Sequence, residues 1–325
     1  MTSLAFGNRR MMLFAGRSHP ALATAIAARL GTRLGPVQLE TFSNSETYCR
    51  YEASIRGADV FIIQTGCAPV DRNLMELLLM IQAARLGSAA RISAVMPLMP
   101  YARQDRKARP REPISARLVA DQLQRAGADR VLTMDLHAGQ IQGFFRVPVD
   151  HMTAITLFAQ HFRRLGLHGP RVVSVAPDAG RAKQAVRFAG HLDADFAIVH
   201  KIRRPSGEVG IADLTGTVRD KIALVGDDVI MTGGTLLAVA ERLRQAGARE
   251  VWLFATHGVF CGDALDRFAA ADLDGIVVTD TVPLHGSPPA NLTVVSVADL
   301  LGRSIEHVVS DRSVSAIFGP DDQLS

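Results

Sequence analysis

Short apolar runs rich in β-branched residues alternate with stretches of helical spacing along almost the whole chain, and that alternation leaves few folds open. Residues 11–16, 59–64, 92–99, 131–135, 172–175, 196–199, 222–225, 251–255, 275–278 and 292–295 read as strands. Residues 20–30, 72–85, 113–127, 154–165, 180–192 and the segment from 236 onward carry apolar residues at helical intervals. Strands separated by helices cannot pair as hairpins, so they are expected to form parallel sheets covered on both faces. A length of 325 residues suits two domains, each able to bury its own core. Residues 119–131 align with 239–251 without a gap, and His137 meets His257 at the same offset. The expected fold class is therefore α/β, with two similar doubly wound domains related by duplication. The boundary is placed near Asp150, giving 1–150 and 151–325.

Composition narrows the function classes. Of the residues, 48% are hydrophobic and 21% charged, ordinary values for a globular chain. The net charge is only +4, yet Arg103, Arg106, Lys107, Arg109, Arg111 and Arg117 crowd into one window, which favours an anionic ligand. Aromatics make up 6%, and only Tyr101 lies beside that window, so the stacking platform expected for single-stranded nucleic acid is missing. A small phosphorylated ligand fits better. Cys49, Cys67 and Cys261 show no CxxC spacing, against a disulfide framework or structural zinc. A reducing cytoplasm is the expected compartment. The most apolar helix, 74–86, is interrupted by Glu76, Gln82 and Arg85, and the start of the chain lacks the apolar stretch of a signal peptide; no membrane partner is expected.

In parallel sheets, ligands gather beyond the carboxyl ends of strands. The basic loop 101–112, His137, Asp178, Lys201 and Asp227 all occupy such ends. The densest chemistry lies in 221–236. There the apolar run 222–225 is read as the strand, and Asp227 and Asp228 are read as leaving it into a loop. Paired carboxylates accept hydrogen bonds from vicinal sugar hydroxyls. Thr232, Gly233, Gly234 and Thr235 follow at a helix start, where amides and missing Cβ atoms let a phosphate approach the backbone. One turn would thus hold a phosphorylated sugar at both ends.

That pattern resembles the ribose-phosphate loop shared by phosphoribosyltransferases and phosphoribosyl diphosphate (PRPP) synthetases. Tyr101-Ala102-Arg103-Gln104-Asp105-Arg106-Lys107, with Asp135-Leu136-His137-Ala138-Gly139-Gln140-Ile141-Gln142-Gly143-Phe144-Phe145, is similar to motifs of the ribose-phosphate diphosphokinases. The likeness runs from Leu13-Phe14-Ala15-Gly16 through Asn73-Leu74-Met75-Glu76-Leu77 and Ala255-Thr256-His257-Gly258 to Ser313-Val314-Ser315-Ala316-Ile317-Phe318. It implies two phosphoribosyltransferase-like domains and transfer of the β,γ-diphosphate of ATP to the anomeric hydroxyl of ribose 5-phosphate, giving PRPP and AMP. By the same resemblance, Arg103 and Gln104 contact ATP, and Phe42, Asn44 and Glu46 form the adenine-side loop contributed by a neighbouring subunit. His137 and Asp178 belong to the Mg²⁺ site, with Asp135 close by. Lys201 and Arg203 form a catalytic Lys-x-Arg pair. Asp227 and Asp228 hold ribose hydroxyls, and Thr232 to Thr235 with Arg203 take the 5-phosphate. Homodimers assembled into a hexamer are implied as well.

Four positions depart from the family pattern. Met231 replaces a frequent aspartate, Gly226 an apolar residue, Arg146 an acid and Arg181 a glycine. These departures keep a second reading open, a catalytically weak paralogue that binds nucleotide and regulates an active synthetase. A phosphoribosyltransferase that consumes PRPP and a base is a third, although it would leave the nucleotide half idle.

Overall fold

The computed structural model describes residues 4–6, 9–203 and 209–318, with side chains for 9–200 and 213–318. In chain order the elements are β1 (Leu4–Phe6), β2 (Arg9–Ala15), α1 (Pro20–Arg29), β3 (Val37–Thr41), β4 (Thr47–Tyr51), β5 (Asp59–Ile63), α2 (Val70–Leu86), β6 (Arg91–Met96), α3 (Ser115–Ala126), β7 (Arg130–Met134) and β8 (Val149–Met152). They continue as α4 (Ile155–Arg164), β9 (Val172–Ala176), α5 (Ala182–Leu192), β10 (Asp195–Arg203), β11 (Val209–Thr215), β12 (Ile222–Ile230), α6 (Gly234–Gln245), β13 (Glu250–Gly258), α7 (Ala264–Ala269), β14 (Gly275–Thr279), β15 (Leu292–Val295) and α8 (Ala298–Val309). The chain is thus α/β with parallel sheets, and it divides into two compact units.

The first unit holds the chain up to Thr153, together with 281–283 and the segment from Ser296. Its sheet has the order β1-β2-β5-β6-β7-β8, parallel throughout except for β1, which caps the edge against β2. The two-residue period decides which side chains face which helix. Met12, Phe14, Val60, Ile62, Ile92 and Ala94 join Leu77 and Met80 of α2 and Val119 and Leu123 of α3 in one core. Leu13, Phe61 and Val95, at the alternate positions, are equally buried. Helix α1 contacts β2 and also α8. Strands β3 and β4 form a separate hairpin, tied to α2 where the Tyr51 hydroxyl donates to the Met80 carbonyl at 2.9 Å.

The second unit, Ala154–Asp280 with Leu284–Val295, orders its strands β11-β10-β9-β12-β13-β14-β15. All run parallel except β11, which is antiparallel to β10. From β9 the chain steps to one side for β10, then returns across β9 to lay down β12. The order therefore reverses between β9 and β12, and the loops leaving those two strands diverge to opposite faces, opening a crevice. The first sheet shows no such reversal: from β2 to β8 its strands succeed one another in chain order. An aromatic cluster of Phe158, Phe162, Phe188, Trp252 and Phe254, with ring centroids 4.5 to 6.1 Å apart, packs within this unit.

Strands β1, β8 and β11 were not expected from the apolar runs, and they lie at or next to sheet edges, where a strand needs only one good partner. A more consequential correction concerns β12. The run 222–225 is only its first half: the strand continues to Ile230, with Asp227 paired to Ala255, Val229 to His257 and Ile230 to Gly258. Asp227 and Asp228 are strand residues rather than loop residues. Val229 and Ile230 supply the apolar, β-branched continuation that carries the strand past the two acids.

One buried charge holds α2 to the first sheet. Glu76 is 1% exposed; its carboxylate accepts from the Arg17 amide at 2.7 Å, Arg17 Nε at 2.5 Å and Gln64 Nε2 at 3.0 Å. Replacing it by alanine strands these donors away from water. We expect Glu76→Ala to lower unfolding free energy by about 3 kcal/mol, read by urea denaturation, whereas Met75→Ala on the exposed side of the same helix should cost about 0.5 kcal/mol or less.

Candidate functional site

The reversal between β9 and β12 brings two kinds of charge together. Asp178 follows β9 after Pro177, and a short 3-10 turn, Ala179–Arg181, leads into α5. The Arg181 side chain turns back to β12. Its Nε lies 3.1 Å from Asp227 Oδ1 and its Nη2 2.5 Å from Asp228 Oδ1. Nη1 donates to Gln184 Oε1, one turn along α5, at 3.0 Å. The Asp228 amide donates to Asp227 Oδ1 at 2.9 Å, which fixes the first carboxylate against the strand. Arg181 is 11% exposed and Asp228 5%, so these charges meet largely out of water.

Burial, and next the adjacent Asp228 carboxylate, push the Asp227 acid up to about 7 against the opposing pull of Arg181. Burial also disfavours the charge on Arg181, but Asp228 and Asp227 outweigh it and hold that guanidinium above its ordinary value.

Beyond β12 the backbone makes a phosphate-sized turn. Gly233 has φ +71°, in the left-handed region, and a Cβ built on it would stand 2.1 Å from the Phe268 ring. Conformation and space both require glycine there. Helix α6 then begins at Gly234 with no acidic residue in its first turn, so no carboxylate of that turn offsets its positive end. The carbonyls before it are turned away: Thr232 O accepts from Arg267 Nη1 at 3.1 Å and Met231 O from the Cys261 amide at 2.9 Å. Thr232 and Thr235 are exposed. Asp227, Asp228 and Thr232 to Thr235 thus share one strand–turn–helix element. Gln184, Arg267 and Phe268 support it, and no sequence signal singles them out, because their contacts are made across the fold.

Gly226, one residue before the acid pair, is a glycine for a packing reason. A Cβ there would lie 2.4 Å from the Phe254 ring, whose place in the aromatic cluster requires the gap.

The expected nucleotide residues belong to the first unit. The loop from Tyr101 to Glu112 presents Arg103, Arg106, Lys107, Arg109 and Arg111 to solvent. Glu112 folds it by accepting from the amides of Ala108 and Arg109, both at 2.8 Å. Tyr101, at φ +60°, donates its hydroxyl to Asp71. The Gln104 carboxamide oxygen accepts from Ser115 Oγ at 2.5 Å, which seats the loop on the start of α3. His137 follows β7 and precedes the 3-10 turn Gly139–Phe144. Phe42, Asn44 and Glu46 form the tip between β3 and β4: the Phe42 amide donates to Glu46 O at 2.8 Å and the Glu46 amide to Asn44 Oδ1 at 3.2 Å. Phe42 is 48% exposed, so it is not a core residue.

The Lys201 and Arg203 side chains lie outside the described residues; their backbone belongs to β10, beside a register shift between His200 and Lys201. Among the described residues, no three His, Cys, Asp or Glu side chains gather as a metal cage. The oxygen donor Asp178 nevertheless suits a hard cation, which commonly binds through one or two carboxylates and keeps waters and substrate phosphates for the rest of its shell.

Two outcomes follow for this element. Gly233→Ala should destabilise the protein by about 2 kcal/mol or more, measured by denaturant unfolding, because both φ and the Phe268 ring oppose the methyl group. For Asp227, a folded-state value raised from 3.8 to about 7 means that the native protein retains a proton which the unfolded chain releases in between. Its contribution to stability is complete below the ordinary carboxylate range and is lost as pH rises through neutrality. The melting temperature of Asp227→Asn should therefore gain on that of the wild type between about pH 5 and about pH 8.

Comparison with known proteins addresses the family directly. Residues 11–127 match the model of the N-terminal domain of ribose phosphate pyrophosphokinase, and residues 210–319 match the phosphoribosyl synthetase-associated domain. Ribose-phosphate pyrophosphokinase of Corynebacterium efficiens is 45% identical over 97% of each chain, and that of Rhodopirellula baltica is 44% identical over 95% of this chain and 99% of its own. The crystal structure of phosphoribosylpyrophosphate synthetase from Mycobacterium smegmatis is similar at a TM-score of 0.85 and 42% identity, covering 93% of this chain and 99% of that one. A switch-point turn with paired acids and a left-handed glycine, a solvated basic loop, and relatives matched nearly end to end converge: the chain belongs to the ribose-phosphate pyrophosphokinase family.

Proposed function

We propose that the protein transfers the β,γ-diphosphate of ATP to the anomeric hydroxyl of ribose 5-phosphate, forming PRPP and AMP. The observation that carries this reading is the β12–α6 element: carboxylates that suit a vicinal diol lie on the strand, and a glycine-lined helix start that suits a phosphate follows within the same turn. In the reaction the anomeric oxygen attacks the β-phosphorus. The bond from that phosphorus to the α,β-bridging oxygen breaks, AMP departs with the electron pair, and the hydroxyl proton passes to solvent. Such a transfer makes little covalent demand on the protein; positioning and neutralisation of phosphoryl charge dominate.

Each group has a place in that scheme. Asp227 and Asp228 orient the sugar through its hydroxyls, and Thr232, Gly233, Gly234 and Thr235 anchor the 5-phosphate with Arg203. Arg103 and Gln104 bind ATP, helped by Phe42, Asn44 and Glu46 from a neighbouring subunit. The exposure of Phe42 supports a hairpin tip that meets another surface. Lys201 and Arg203 stabilise the transferring diphosphate. Mg²⁺ would be held by Asp178 and His137 and, when bound, would neutralise charge on the phosphate oxygens. Assembly of homodimers into a hexamer and a cytoplasmic location complete the reading; no helix of the described residues is long and apolar enough to cross a membrane.

Nucleotide-resolved product analysis tests it. AMP should form only when ATP, ribose 5-phosphate and Mg²⁺ are all present, with the purified chain acting alone. Lys201→Ala should lower turnover by about 10³-fold at an unchanged melting temperature. Silence of the pure wild-type chain, or full turnover in the variant, would count against the assignment.

A further inference from the structure

The most heavily built contact at the proposed sugar site is the bridge from Arg181 to both acids. Two adjacent carboxylates in a buried setting repel each other and tend to share a proton, and a solitary buried guanidinium is costly in turn. The three groups stabilise one another. Arg181 engages one oxygen of each carboxylate, Oδ1 in both cases, and its remaining nitrogen is tied to Gln184. A planar guanidinium held by three partners cannot be dislodged by two hydroxyls without stranding a buried cation. The sugar must therefore bind with the bridge intact.

We propose that Arg181 is a positioning residue for the ribose: by locking Oδ1 of Asp227 and of Asp228 on one guanidinium, it fixes the two carboxylates that accept from the vicinal diol. It acts through the acids and does not touch the sugar. The inference rests on the proposed reading of β12–α6 as the ribose 5-phosphate site and deepens it, assigning to Arg181 the discrimination between a sugar with two neighbouring hydroxyls and one without.

Calorimetric binding of ribose 5-phosphate and 2-deoxyribose 5-phosphate separates this role from a merely structural one. The wild type should prefer ribose 5-phosphate by roughly tenfold or more, as expected where buried acceptors lose a hydroxyl partner. In Arg181→Met the preference should fall to about twofold, with binding of the deoxy sugar phosphate nearly unchanged, and Arg181→Lys should recover only part of it because an ammonium cannot bridge two acids in a plane. The KM for the sugar should rise while that for ATP holds. Should Arg181→Met fail to fold, Gln184→Met, which removes only the third tie of the guanidinium, provides the same comparison and should narrow the preference by about half. A preference unchanged in the variants that fold would overturn the role of Arg181 alone. A wild type that binds neither sugar phosphate, or binds both equally, would instead sink the underlying reading of the site.

Discussion

The pairing of β9 with β12 is the constraint on which the rest of the second unit depends. Their register, from Ile222 against Val172 to Val225 against Val175, sets the ends of two strands side by side although β10 and β11 separate them in the chain. From that adjacency the remainder follows. The turn after β9 can reach over to β12, the acids near the end of β12 can be compensated by a cation from another element, and α6 can start where a ligand held by those acids would end. Buried like charges are tolerable only where an opposite charge is delivered, and here topology delivers it.

The alternation of apolar runs with helical spacing was enough to read the α/β class and most of its elements, because buried parallel strands are nearly continuous in Val, Ile and Leu and their helices keep a 3.6-residue period. The edges were harder. Among the described residues, strand β11 pairs with β10 alone and β8 with β7 alone, and a strand with one neighbour needs no continuous apolar signature. The helical spacing of 298–309 likewise says nothing about which surface it covers; α8 packs against α1, nearly three hundred residues earlier.

At the site, residue types were legible and their arrangement was not. Asp227, Asp228 and Gly233 stand out in the sequence because acids and glycines beside a buried strand demand a reason. That the strand runs through the acids depends on β13, whose partners extend to Gly258. Arg181 was visible as a departure from the family pattern, but its engagement with two acids some forty-six residues later is a fact of tertiary structure. Gly226 looked like a loss of apolar surface, and the Phe254 ring explains where that surface went.

Gly226 and Phe254 are constrained together. A glycine at 226 without a large ring at 254 leaves a void beside the sheet, and a phenylalanine at 254 against a side chain at 226 forces an overlap, so either intermediate is handicapped while the combination is not. The two positions are neighbours across β12 and β13, paired directly in register, and so form a coupled packing unit. Neither position can therefore be exchanged alone without opening a void or forcing an overlap.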